Sequence, residues 1–162
     1  MNHSEFTEAK KFILSDVERE IALARVSKNE KGKVSLESLS VPPGGANFLA
    51  ALGLLSYTEF FGKLKYKHTG KGSCSKNFNG LFDDLGDEYR SFRVSGTNVY
   101  DIFRCGLVHE YYAKHDCIIF MLKNEKPIGI GKESSGKYYF VIETYFEALK
   151  KVINDIEKDL YK

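Results

Sequence analysis

Arg104 and His109 are the residues of this chain whose types and spacing point most directly to chemistry. They stand in Val99–His115, VYDIFRCGLVHEYYAKH, where Val99, Ile102, Phe103, Leu107 and Val108 recur at helical spacing. A histidine titrates near neutrality and can act as acid or base. An arginine presents a planar fork of donors suited to a phosphate or a carboxylate. Glu110 follows His109 directly and is placed to orient either of them. The plainer alternative is structural: Arg104 pairs with an acid such as Asp101 or Glu110, and His109 is hydrogen-bonded within a helix bundle.

Other constellations carry less. His109, Glu110, His115, Asp116 and Cys117 include metal-ligand types, but His109 and His115 are six apart and face different ways on a helix, unlike the one-face i, i+4 pair. No metal site is expected. Cys105 and His109 do stand at i, i+4, yet a cysteine inside IFRCGLV reads as a buried small hydrophobe. Gly131–Lys137 has the outline of a phosphate loop. Tyr138 occupies the place of the metal-binding hydroxyl, and a strand follows where the mechanism needs a helix N-terminus, so the segment reads as a hairpin turn.

A second feature is the charge of one segment. Between positions 63 and 76 the chain carries Lys63, Lys65, Lys67, His68, Lys71 and Lys76 with no acid, around the flexible run TGKGS. This is either a solvated loop or a basic arm for a nucleic-acid backbone. The whole chain, with a net charge of +2, makes no such argument by itself.

The frame around these residues is that of one ordinary globular domain. With 162 residues, 43% hydrophobic and 28% charged, the chain can bury a core without disulfides or a cofactor. Its three cysteines, Cys74, Cys105 and Cys117, form no C-x-x-C pair and read as reduced thiols serving mostly as core filler. MNHSEFTEAKK has no apolar secretory core, and the apolar run 48–55 is far short of the roughly 20 residues of a membrane span. A cytoplasmic protein without membrane contact is expected.

The periodicity predicts a mainly α fold. Ser4 is a plausible N-cap for a first helix with Phe6, Ala9, Ile13, Val17, Ile21 and Ala24 on one side, followed by a turn at KNEKGK. Pro42-Pro43-Gly44-Gly45 forces a break. From Ala46 a second helix, ANFLAALGLLSYTEFFGKL, is apolar nearly all round and belongs in the centre, with Gly53 explained by a close helix crossing. Ser75 to Leu85 predicts a short helix, 87–93 another turn or two, and Thr97 opens the helix that holds Arg104. Cys117–Leu122, Pro127–Gly131 and Tyr138–Ile142 then predict three short strands, read as an antiparallel meander inserted at about 117–142. A last helix carries Tyr145, Phe146, Leu149, Val152, Ile153, Ile156 and Leu160 on its inner side. Short connections favour an antiparallel bundle over residues 1–162.

On these residues the chain resembles the HEPN superfamily, whose active members carry Arg-x(4–6)-His near the end of a bundle helix; here the motif is Arg104-Cys-Gly-Leu-Val-His109. The segments FRCGLVHEYYAKH and GGANFLAALGLLSYTEFFG also resemble a group of uncharacterised bacterial proteins of this layout. The resemblance implies an HEPN-like bundle and a metal-independent endoribonuclease, without a cofactor, in a toxin–antitoxin or phage-defence setting. His109 would move the proton of the attacking 2′-hydroxyl, Arg104 would meet the charge growing on phosphorus, Glu110 would support them, and Lys63, Lys65, Lys67, Lys71 and Lys76 would guide RNA. Cys105 departs from the pattern, because active members usually have a polar residue directly after the arginine. On an ideal helix the two motif residues lie about 140° apart, so one helix cannot easily aim both at one phosphate. A homodimer that pools the motif from two copies resolves this, and Gly106 would let the helices approach or distort. The second expectation is a non-catalytic binding or scaffolding protein that uses the same dimer cleft for a nucleotide, RNA or a partner protein, whereas an antitoxin partner would belong to the nuclease expectation.

Overall fold

The computed structural model describes residues 1–28, 47–110 and 117–162, with backbone alone at 26–28 and 110. The described residues form a mainly helical protein with a small three-stranded sheet near the C-terminus. The turn predicted at 28–33, the break at Pro42–Gly45, and His115 and Asp116 lie outside the described side chains.

Helix α1 spans His3–Lys28 and buries Phe6, Val17, Ile21 and Ala24. Its cap is Asn2, not Ser4. The Glu5 backbone N–H donates to Asn2 Oδ1 at 2.9 Å and the Asn2 N–H to Glu5 Oε2 at 2.8 Å, a reciprocal capping box placed two residues before Ser4. Helix α2, Asn47–Tyr66, is the central element, packed on α1, on α3 (Ser73–Asp84) and on the C-terminal α6 (Ile142–Leu160). Leu54, Leu55 and Phe61 of α2 are wholly buried, as are Phe78, Leu81 and Phe82 of α3.

The close crossing in α2 falls at Gly62 rather than Gly53. A methyl group on Gly62 would stand 2.1 Å from the Asn77 carbonyl oxygen of α3, so only glycine lets these backbones approach. At Gly53 it would meet only the Tyr57 ring of the same helix, at 3.4 Å.

Helix α4, Asp87–Val94, leads to the segment that carries Arg104. That segment is not a continuous α-helix from Thr97. Tyr100–Cys105 form a π-helical turn, and α5, Gly106–Glu110, follows. The Gly106 N–H reaches back five residues to the Asp101 carbonyl, the bond that defines the wider turn. Asn98 starts it by accepting from the Asp101 N–H at its side chain and from the Ile102 N–H at its carbonyl. Such a turn shifts the faces that an α-helix would present, so the spacing from Arg104 to His109 cannot be read on an ideal helical wheel.

Strands β1 (Ile118–Phe120), β2 (Ile130–Lys132) and β3 (Tyr138–Val141) make a sheet of order β1-β3-β2. The expected meander is half right. The turn Glu133–Gly136 joins β2 and β3 antiparallel, whereas β1 pairs with β3 in parallel, Ile119 opposite Phe140. The reason lies in the connection 121–129, which is anchored on α6 and α4 before β2 begins. The Glu143 N–H donates to the Met121 carbonyl, Glu143 Oε2 accepts from the Lys123 N–H at 2.7 Å, and the Gly129 N–H donates to the buried Tyr89 hydroxyl at 2.8 Å. This route carries the chain to the far edge of β3.

Candidate functional site

Three polar residues of α2, Ser56, Glu59 and Lys63, share one face of the helix. Ser56, Glu59, Phe60 and Lys63 follow the i, i+3, i+4, i+7 rule and stack along a single stripe near the C-terminal end of the helix. Beyond Tyr66 the chain reverses at Lys67, whose φ of 56° lies in the left-handed region. His68 is then fixed from both sides by the buried Asn77 of α3. Its N–H donates to Asn77 Oδ1 at 3.1 Å, and Asn77 Nδ2 donates to its carbonyl at 3.2 Å. The His68 ring stacks on Tyr66 with 6.1 Å between centroids and planes 2° apart. Tyr66 is itself held by donating to Asp84 at 2.7 Å, and burial, with that hydrogen bond, pushes its phenol well above the usual range.

Across from this stripe the π-helical turn delivers Arg104. Together Ser56, Glu59, Phe60, Lys63, His68, Ser73, Cys74, Asn77 and Arg104 line an open cleft of about 290 Å³. Arg104 Nε lies 2.8 Å from Glu59 Oε2, and each side chain keeps about 20% of its surface exposed. Both atoms are sealed from solvent, yet neither completes a well-directed hydrogen bond. The contact is thus one of charge, with hydrogen-bonding capacity left over. Tyr100, one turn before Arg104, has its ring centroid 6.0 Å from the guanidinium, and burial with the nearby Glu59 carboxylate pushes its phenol up to about 12. It therefore stays a neutral donor at physiological pH.

Two features read separately in the sequence meet here: Arg104, and the basic segment through Lys63 and His68. The remaining residues of that segment lie elsewhere. Lys65 pairs with Asp84 at 2.9 Å, and Lys67, Lys71 and Lys76 do not line the cleft. His109 is exposed on α5 and does not line it either, and the Glu110 side chain lies outside the described residues. Of the cysteines only Cys117, which packs against the core, approaches the filler expected. Cys74 is exposed in the first turn of α3, and Cys105 and Cys117 are half-buried. The helix cap also differs, at Gly72 rather than Ser75, because Gly72 adopts the left-handed φ of 76° that starts the helix earlier.

Glu59 is what sequence reasoning missed. It is the sole acid of α2. An isolated acid on an otherwise apolar central helix, at i+4 before a lysine, was the available signal. Among the described residues no three His, Cys, Asp or Glu side chains converge as a metal site would require. No helix there is long and apolar enough to cross a membrane.

Comparison with protein-family models, with curated proteins and with solved structures finds no match for this chain.

Proposed function

We propose that this chain is an RNA-binding protein of HEPN-like type, which holds a nucleotide of single-stranded RNA in the cleft between α2, α3 and the π-helical turn. The observation that carries the reading is the convergence of Arg104 with Lys63 and His68 on one open cleft. Arginine and lysine are the usual partners of a phosphodiester, and Phe60 in the same wall offers a surface on which a base can stack. A volume of about 290 Å³ is on the scale of a small-ligand pocket and suits one splayed nucleotide.

The second reading adds catalysis. His109 stands exposed five residues beyond Arg104, as a general base or acid supplied to a neighbouring copy would have to be. In that arrangement two copies pool their motifs, His109 takes the proton of the 2′-hydroxyl, and Arg104 stabilises the charge on phosphorus. A toxin or phage-defence role and an antitoxin partner would follow from the HEPN resemblance.

One experiment separates the two. The purified chain is titrated into fluorescently labelled single-stranded RNA in EDTA, with anisotropy and gel analysis read on the same samples. Salt-sensitive binding that Lys63→Ala weakens supports the RNA-binding reading, and no binding at low salt defeats it. Cleavage abolished by His109→Ala supports the nuclease reading, and cleavage undiminished in that variant defeats the assignment of His109.

A further inference from the structure

The outer face of α1 and α2, which shares no residue with the cleft, has two features that the fold leaves unexplained. Phe12 on α1 keeps 60% of its surface exposed, and Leu49 on α2 keeps 67%. Gly53, one turn after Leu49, stands in the middle of α2 although glycine is the poorest helix former after proline. A methyl group there would meet only the Tyr57 ring, at an ordinary 3.4 Å, so no contact among the described residues requires the glycine.

The two helices run antiparallel. Phe6 meets Phe61 at 5.6 Å between ring centroids at one end, and Ala24 shares a groove with Asn47 at the other. Between these ends Asp16 and Arg19 of α1, with Leu49, Gly53 and Tyr57 of α2, line an open groove of about 200 Å³. Along α1, Phe12, Asp16, Arg19 and Leu23 stand at steps of four, three and four, a heptad stripe. That stripe is its own complement when reversed. Laid antiparallel on a copy of itself, it sets Phe12 against Leu23 and Asp16 against Arg19, each contact made twice. On α2 the same operation centred on Gly53 sets Leu49 against Tyr57. Asp16 and Arg19 flank the groove on one helix as Leu49 and Tyr57 flank it on the other, so a single two-fold axis serves both helices.

We infer that two copies of the chain associate through this face, antiparallel about a two-fold axis at Gly53. The occupant is a second copy because the face complements itself in both apolar residues and charge. Gly53 then has its use: at the axis each glycine meets its own counterpart, and the missing side chains let the two α2 helices approach. Within one chain Asp16 and Arg19 lie 3.7 Å apart with more than half of each side chain exposed, a weak pair that can be exchanged for the copy's. The cleft takes no part in this contact, so the inference is independent of what the cleft binds. It is also separate from the contact that the nuclease reading requires.

The test is sedimentation equilibrium of the whole chain, which is expected to give twice the chain mass when concentrated and to fall toward the monomer on dilution. Phe12→Glu, at an exposed site and confirmed folded by circular dichroism, is expected to raise the dimer Kd about tenfold or more, the loss of one anchoring side chain. Gly53→Ala is expected to weaken association while the melting temperature of the monomer holds or rises, a combination that a merely structural glycine would not show. The charges supply the decisive arm. Asp16→Arg and Arg19→Asp each set like charges across the axis, and each alone is expected to weaken the dimer. An equimolar mixture of the two is expected to restore it, because every arginine then faces an aspartate of the other variant. A chain that stays monomeric up to millimolar concentration overturns the inference. So does a dimer that none of these variants weakens, or a mixture that associates no better than either variant alone.

Discussion

The Arg104–Glu59 contact can be broken from either side, and the outcome follows from its geometry. At 2.8 Å, with an effective dielectric of about 20, the gross attraction is about 6 kcal/mol, most of it offset by the desolvation of two ions. Removing one partner of a fully buried pair costs about 3–5 kcal/mol, because the survivor is left charged and unpaired. Both side chains here retain about a fifth of their surface, so water relieves part of that cost and about 2–3 kcal/mol is expected for Arg104→Met. Glu59→Gln should cost somewhat less, since the amide remains a polar partner without the charge. In the double variant no charge is left unpaired, and its loss should fall short of the summed single losses by about 1–3 kcal/mol. Urea unfolding at neutral pH, followed by circular dichroism with the m-value checked for constancy, measures all four corners of the cycle. Single losses that add to within about 0.5 kcal/mol would refute the pairing.

Three further outcomes follow. Gly62→Ala places a methyl group 2.1 Å from the Asn77 carbonyl, so α2 and α3 must separate; a loss of about 1–3 kcal/mol in thermal unfolding is expected, together with weakened RNA binding, because Asn77 also fixes His68. Lys63→Ala should flatten the plot of log affinity for single-stranded RNA against log salt by about 0.7, the contribution of one neutralised phosphate, and an unchanged slope would place Lys63 outside the interface. Glu157 ties α6 to α1 through hydrogen bonds from Lys10 at 2.6 Å and from His3 and Thr7, and the bond from Lys10 chiefly lowers its pKa below the ordinary 4.5. A depressed pKa in the folded state contributes stability that is complete above 4.5 and is lost as the pH falls through the folded value. The difference in melting temperature between the parent and Glu157→Gln, worth about 1 kcal/mol or less at neutral pH, should therefore close as the pH is lowered from 4.5 through the folded value.

The helical frame was legible because it is written in local periodicity. The apolar stripe of α1, the all-round apolar α2 and the inner face of α6 each place their buried residues where a 3.6-residue repeat requires, and Glu133–Gly136 carries its hairpin turn in its own residues. What could not be read depends on contacts distant in sequence. The run around Ile118–Phe120 declares a strand, but no local signal tells whether it will meet β3 in parallel or antiparallel; that is decided by the anchoring of 121–129 through Glu143 and Tyr89. The π-helical turn at Tyr100–Cys105 has no compositional mark beyond the Gly106 that follows it. Arg104 stood out as a phosphate partner, but Glu59, the acid 2.8 Å from it, comes from α2, distant in sequence. The charge of positions 63–76 was equally plain, while the division of labour within it was not. Lys63 and His68 reach the cleft because α2 ends and reverses at Lys67, and Lys65 turns to Asp84.

The most direct test of the account is to map where RNA touches the protein. Amide proton–nitrogen spectra of the chain, titrated with a short single-stranded RNA, should shift first and most at Glu59, Lys63, His68, Cys74, Asn77 and Arg104. Shifts gathered instead on a distant surface such as the β2–β3 hairpin, or no shifts at saturating RNA, would contradict it.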